Sequence, residues 1–313
     1  MAQHQATDLR AQPIQRFDCA DGGRLLRIHY SADPDKRSME WKKKASEGMP
    51  SDEWRREMEL DETIWDGEPV FNAYEDAVHC PAYFLTNDIP LFSGSFYFGS
   101  LDVGMTIHPA GLLWQITGPP HQVHVLAEVV PDGSMTLEEF SPWVVQESRK
   151  VLPQQFNDVY WWADETIRTR SGHDGRTGQK VIFDASGLMV RPVSNAWAPR
   201  LAAGDWMLRN WIDEETPRLY ISGKRCPILR QALQGGYRYR DKSTAPTEGP
   251  ERQLLMPLKN VFSHVADAFQ YGAVRIKQLI ELGPSEFMRE LEQQRARSRA
   301  GDRLPEGRHL LGG

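Results

Sequence analysis

The chain has little of what commits a protein to a membrane, an oxidising compartment or a nucleic-acid coat. No apolar run approaches the roughly 18 residues that a membrane span requires. The opening MAQHQATDLRAQ carries no apolar signal region, so the expected place is a cytoplasm, with no membrane partner. Cysteine is scarce: Cys19, Cys80 and Cys226 lie far apart, without a Cys-x-x-Cys pair. That excludes a disulfide framework or a structural zinc site as the organising device. Positive charge is also short, 37 Lys and Arg against 43 Asp and Glu for a net charge of −6, so bulk electrostatics would not hold the protein on nucleic acid. No internal repeat is present.

What remains is an ordinary globular composition, 313 residues with 40% hydrophobic and 26% charged. At about 150 residues per domain this allows one large domain, or a domain with a substantial extension. The basic residues are gathered rather than spread, in KRSMEWKKK (36–44), RTRSGHDGRTGQK (168–180), the stretch 223–242 and RARSRAGDR (295–303). A local basic groove on an acidic protein is therefore available.

The pattern along the chain divides it into three regions. In 1–94, an extension, the first 15 residues are polar. RLLRIHYSADP then alternates like a short strand up to Pro34, and helical stretches follow over 35–47 and 51–60, with Trp41 and Trp54 as docking residues. The turn-rich stretch 61–94 reads as a loosely structured connection. From Ser95 three apolar, β-rich runs, 96–103, 110–117 and 122–130, are separated by Gly and Pro breakers and predict an antiparallel meander. Thr136 can cap a helix in which Phe140, Trp143, Val144 and Val151 recur at helical spacing, and DVYWWAD (158–164) is a fourth strand. The order β-β-β-α-β opens a ribonuclease H-like fold, a mixed α/β sheet flanked by helices. A helix at 195–211, a strand at 218–222, a helix at 226–234, a polar loop at 243–250 and a long helix at 260–281 complete a domain over 95–283. The region 284–313 is expected to be a C-terminal helix and a disordered basic tail.

Two of the strands end in an acid. Asp102 closes an aromatic strand and shares a side with Phe96 and Phe98, while Asp164 closes VYWWAD. Asp102 could instead begin an Asp-Val-Gly turn, and Asp164 could cap a short helix from Glu165. Asp267 stands on the long helix, where His264, Asp267 and Tyr271 fall at i, i+3 and i+7 on one face. Three such carboxylates are the hard oxygen donors that two Mg²⁺ or Mn²⁺ ions require for phosphodiester hydrolysis by water. Glu128 and His264 are possible accessory groups, as is Glu165 beside Asp164. Arg168, Arg170, Arg176 and Lys180, interleaved with glycines, either hold a DNA backbone or form an exposed hairpin.

These residues also carry a family resemblance. From about Asp18 to Gly283 the chain resembles the nuclease half, with its preceding linker, of the large terminase subunit of tailed bacteriophages. The matching stretches are HYSADPDKRSMEW with WRREMELDETIWDGEPVF, the strand end Ser100-Leu101-Asp102-Val103-Gly104, the strand end Trp162-Ala163-Asp164, and Ser263-His264-Val265-Ala266-Asp267-Ala268 with Tyr271-Gly272. The resemblance implies a divalent-metal endonuclease that cuts concatemeric double-stranded viral DNA in the host cytoplasm, with Asp102, Asp164 and Asp267 as ligands. It also implies a small terminase subunit and a portal as partners. Large terminases carry an ATPase with a Gly-x-x-x-x-Gly-Lys-Ser/Thr loop. Here the one Gly-Lys, Gly223-Lys224, has Arg218 in place of the earlier Gly and Arg225 in place of the hydroxyl residue. The chain is thus expected to work with an ATPase on a separate subunit. Glu165 follows Asp164 where the family commonly has Pro. A junction resolvase or transposase-like enzyme of the same fold is the alternative activity, and a catalytically silent adaptor between motor and portal is the alternative class.

Overall fold

The computed structural model describes residues 13–18, 24–47, 54, 58–59, 68–103, 108–170, 175–239, 257–282, 286, 289 and 292–293. They belong to two units, Met1–Gly67 with Asp241–Ser243, and Glu68–Arg240 with Thr244–Gly313. The loop 243–250 and nearly all of the tail beyond 283 lie outside the described residues.

In the first unit β1 (Ile14–Asp18) and β2 (Arg24–Ile28) pair antiparallel, Ile14 opposite Ile28. The strand therefore begins inside the stretch that reads as featureless polar sequence. Ser38 caps α1 (Met39–Ala45) by accepting the Trp41 backbone N–H at 3.0 Å. Trp41 and Trp54 dock on a common ring: Tyr30 stacks on Trp41 at 5.3 Å and meets Trp54 edge-on at 5.7 Å. Glu59 gathers the polar atoms of this cluster, accepting from Trp54 Nε1 at 3.1 Å, from the Tyr30 hydroxyl at 3.4 Å and from Lys42. Most of the helix expected at 51–60 falls outside the described residues.

The second unit starts with a correction. Instead of a loose connection, residues 68–94 include α2 (Asp76–His79) and α3 (Tyr83–Thr86) and bury Val70, Phe71, Cys80 and Ile89. Those apolar residues have no period of their own. Their partners are distant in sequence, as with Phe71 edge-on to Phe269 at 5.7 Å and His79 Nε2 3.0 Å from the Leu208 carbonyl.

Three β-rich runs become β3 (Phe96–Asp102), β4 (Ala110–Ile116) and β5 (Val123–Val129), antiparallel neighbours as their spacing predicts. Thr136 then begins α4 (Leu137–Val151) with a reciprocal capping box to Glu139. The chain returns as β6 (Tyr160–Asp164), parallel to β3. Next come α5 (Gly178–Ser186), β7 (Val190–Val193), α6 (Trp197–Arg209), β8 (Leu219–Ile221), α7 (Pro227–Gln231) and α8 (Ser263–Glu281). The six strands lie in the order β7-β6-β3-β4-β5-β8, with β7 parallel to β6 and β8 parallel to β5. A meander followed by parallel strands added beside its first member is the ribonuclease H-like topology.

Neither α5 nor β7 is evident from the sequence pattern. The segment 168–180, read as a flexible loop or hairpin, contains a bridge between Arg170 and Thr177 and then enters α5, capped by Thr177. The helix expected at 226–234 ends at Gln231 and unwinds through a π turn in which Gly235 takes φ 123°, a backbone open to glycine.

Each sheet face has its own cover. Leu101, Leu113, Ala127, Trp161 and Val190 pack with Phe140, Val144 and Ile182 of α4 and α5. On the opposite face Phe98 stacks on Trp162 at 4.9 Å and Trp114 on Phe269 of α8 at 5.5 Å. The small residues of α8 let it come this close. A Cβ on Gly272 would stand 2.6 Å from Trp114 Cζ2. Trp114 is itself pinned, its Nε1–H donating to Ser100 Oγ at 2.8 Å. With α8 held at this depth, the turn that carries Asp267 lies over the ends of β3 and β6.

Candidate active site

Alternation along two strands puts their terminal acids on the α8 face. Phe98, Ser100 and Asp102 share one side of β3, and Tyr160, Trp162 and Asp164 share the same side of β6. Phe98 is level with Tyr160 and Ser100 with Trp162, so continuing that register brings Asp102 level with Asp164. The two strands are parallel, and both acids therefore emerge at the same, C-terminal edge of the sheet. Both are nearly covered, 6% and 7% exposed.

The stripe of α8 predicted from spacing faces this edge. His264 Nδ1 lies 2.8 Å from Asp102 Oδ2, and the Tyr271 hydroxyl donates to Asp164 Oδ2 at 3.3 Å. Asp267, between them on the helix and 4% exposed, is engaged on both oxygens. Oδ1 accepts from Arg200 and from the Tyr237 hydroxyl at 3.2 Å, and Oδ2 accepts from Lys259 Nζ at 2.8 Å. Asp164 is both strand end and cap: its Oδ1 accepts the Thr166 backbone N–H at 2.6 Å and the Thr166 hydroxyl. The two readings of Asp164 open in the sequence are thus both realised. Glu165 is exposed and accepts from the Asn195 N–H at 3.4 Å, so Asp164 is the member of the pair directed to α8.

The electrostatics single out Asp102. Burial pushes its carboxyl upward; the His264 hydrogen bond opposes this, and the charges of Asp267 and Asp164 reinforce it. Among the described residues His264 is its one side-chain partner, which leaves Oδ1 without a donor. Burial also pushes the Tyr271 phenol up, Arg200 opposing and the three acids adding, which keeps the hydroxyl a donor to Asp164. The mutual influence of these groups shows one shared field at the sheet edge. Even so, among the described residues no group of three or more His, Cys, Asp or Glu side chains converges closely enough to hold a metal ion.

Glu128 is placed elsewhere. Its carboxylate accepts the backbone N–H groups of Ile228 and Leu229, at 2.9 and 2.8 Å, at the start of α7. Burial pushes it up to about 7 against the pull of those two donors. Of the basic residues expected to meet DNA, Arg168 and Arg170 are exposed just beyond Asp164. Arg176 pairs with Glu138 at 3.0 Å and Lys180 with Asp184 at 2.8 Å. Tyr237 is buried against Asp267, its hydroxyl donating to Oδ1.

Sequence reasoning missed Arg200 and Lys259. Arg200 is buried on α6 in one stripe with Ala203, Gly204 and Met207, and a cation at a core-facing helical position was the available signal. Its guanidinium lies 4.5 Å from the Tyr271 ring centroid, and among the described residues its Nε has no hydrogen-bond partner. Lys259, in a connecting segment, carries no such signal.

Fold and site together define a ribonuclease H-like domain with paired acids on adjacent parallel strand ends. Solved structures similar to this chain include bacteriophage large terminases and their nuclease domains. One is the large terminase of a thermophilic bacteriophage, at 14% identity and TM-score 0.46, over 80% of this chain and 55% of that one. Another is the P22 large terminase nuclease domain, at 12% identity and TM-score 0.46, over 67% and 92%. A third is the nuclease domain of the SPP1 large terminase with bound Mn, at 14% identity and TM-score 0.38, over 57% and 86%. The chain thus spans about half the length of the thermophilic phage's protein. No family model and no curated protein matches it.

Proposed function

We propose that the chain is a terminase-type nuclease, a divalent-metal-dependent endodeoxyribonuclease that cuts concatemeric viral double-stranded DNA during packaging. The observation that carries this reading is the level pairing of Asp102 and Asp164 at one edge of the sheet, beneath the His264, Asp267 and Tyr271 face of α8. Buried carboxylates side by side raise one another's cost of ionisation, and a cation relieves it. Among the described residues Oδ1 of Asp102 has no donor and Oδ2 of Asp164 has only the Tyr271 phenol, and both are hard oxygen atoms suited to Mg²⁺ or Mn²⁺. By donor chemistry these two acids suit such an ion, although no third carboxylate or imidazole among the described residues stands close enough to complete a site, and Asp267 would first have to release a cation it already holds. Two ions, the second drawing on Asp267, complete the reading.

A divalent ion here supplies Lewis acidity toward water and neutralises charge that builds on the phosphate. The protein's own groups do the rest. His264 is held through Nδ1 against Asp102, which fixes the orientation of its ring beside the acids. Tyr271 and Thr166 hold the Asp164 carboxylate in one rotamer. Arg168 and Arg170 contact the DNA backbone, and Arg176 and Lys180 join them, since exposed pairs such as theirs are worth only about 0–1 kcal/mol and yield to phosphate. An ATPase on a separate subunit, a small terminase subunit and a portal are the partners in this reading, and the bacterial host cytoplasm is its setting.

The test is metal-dependent cleavage of plasmid and linear duplex by the purified chain beside Asp102→Asn. The variant should lose cleavage while keeping its circular dichroism spectrum. Full activity in it would remove the assignment. Failure of the wild-type chain to take up Mn²⁺ would favour a silent adaptor.

A further inference from the structure

Asp267 differs from the other two acids in being already neutralised. Arg200 and Tyr237 share Oδ1, and among the described residues Lys259 is the one donor to Oδ2. The two cations are not equivalent. Arg200 has a side chain 9% exposed, its guanidinium packed over the Tyr271 ring and near Trp197, so it cannot leave without opening the core. Lys259 has a side chain 69% exposed, and Asp267 is its one partner among the described residues. A flexible four-carbon stem lets its ammonium swing into water at small cost.

We propose that Lys259 is an exchangeable, tethered cation that fills the position at Asp267 Oδ2 until a divalent ion displaces it. The inference rests on the metal reading above and goes beyond it, because it makes metal uptake at Asp267 a competition with a side chain of the same protein. It also assigns the oxygens: Oδ1 stays with Arg200 and Tyr237 as the anchored atom, and Oδ2 is the one released toward metal. Once displaced, the ammonium lies at the rim of the site, where a DNA phosphate is its natural counter-charge. Lys259 is thus a positioning residue, acting through Asp267.

The test is Mn²⁺ titration without DNA, followed by the electron paramagnetic resonance signal of free Mn²⁺, on wild type, Lys259→Met, Lys259→Arg, Asp267→Asn, the double variant Asp267→Asn with Lys259→Met, and Asp102→Asn. Removing a largely exposed competitor should lower the Mn²⁺ concentration for half-saturation in Lys259→Met about two- to fivefold. Lys259→Arg should return it to the wild-type value. In the Asp267→Asn background the Lys259→Met effect should vanish, and the metal-free thermal midpoint of Lys259→Met should match wild type. An unchanged half-saturation in Lys259→Met overturns the proposal, as does an effect that persists without Asp267. If Asp102→Asn abolishes uptake in the same series, the metal reading survives that result. If wild type takes up no Mn²⁺, both fall.

Discussion

Replacing Gly272 by alanine tests whether the depth of α8 controls the site. The added Cβ would stand 2.6, 2.7 and 2.8 Å from Cζ2, Cε2 and Nε1 of Trp114. Carbon contacts settle near 3.5–4.0 Å, so helix or indole must yield by about 1 Å. The indole has nowhere to go. It is fully buried, donates to Ser100 and stacks on Phe269, so the helix should move. Overpacking of this kind costs about 1–3 kcal/mol, against which alanine in a helix gains about 1 kcal/mol over glycine. The expected net change is a loss of roughly 0–2 kcal/mol, measurable as a lower urea midpoint at constant slope. The larger effect should be on chemistry. His264, Asp267 and Tyr271 ride on the same helix, and a misplacement of about 1 Å costs on the order of 100-fold in rate. Cleavage of linear duplex in Mn²⁺ should therefore fall far more than stability does. A Gly272→Ala protein with wild-type cleavage, and stability raised by the full alanine gain, would refute the idea that close approach of α8 positions the acids.

Glu128 gives a pH-dependent prediction. Its carboxyl rises from 4.5 in the unfolded chain to about 7 in the folded one through burial, so the folded state binds the proton more tightly. The stability this contributes is complete below pH 4.5 and is lost as pH rises through 7, about 3 kcal/mol in all. Glu128→Gln should flatten urea midpoints between pH 5 and about 8, and a slope equal to that of wild type would reject this. In Glu59 burial alone would raise the carboxyl, but hydrogen bonds from Lys42, Trp54 and His29 bring it down to about 2. Its contribution is present above pH 4.5 and disappears as pH falls through 2, so tryptophan fluorescence of the first unit should change in that acid window and not in Glu59→Gln. Thr136→Ala removes the cap of α4 and should cost about 1 kcal/mol by chemical denaturation.

The strands of the meander, the capped α4 and the long α8 were legible because each has a local cause: β-rich runs between Gly and Pro breakers, a Thr136 cap, a helical stripe. Segments without a local period were not. The turn-rich stretch 68–94 orders because Phe71 and His79 find α6 and α8. The strand β7 exists because β6 offers it a partner edge. The acids divide in the same way. Alternation placed Asp102 and Asp164 on one side of their strands, and helical spacing placed His264, Asp267 and Tyr271 on one face. Distances along the chain say nothing of whether those faces meet.

The sequence by itself therefore determined the meander, α4, β6 and α8, the strand-end acids and the face of α8 that could meet them, since each depends on neighbours within a few residues. Tertiary structure alone decided that Asp267 is paired with Arg200 and Lys259, that Glu128 serves the start of α7, and that Asp164 rather than Glu165 is directed to α8. Those outcomes turn on which charges come within a few ångströms after folding, and electrostatic interaction depends on distance in space and on burial, neither of which is encoded in separation along the chain.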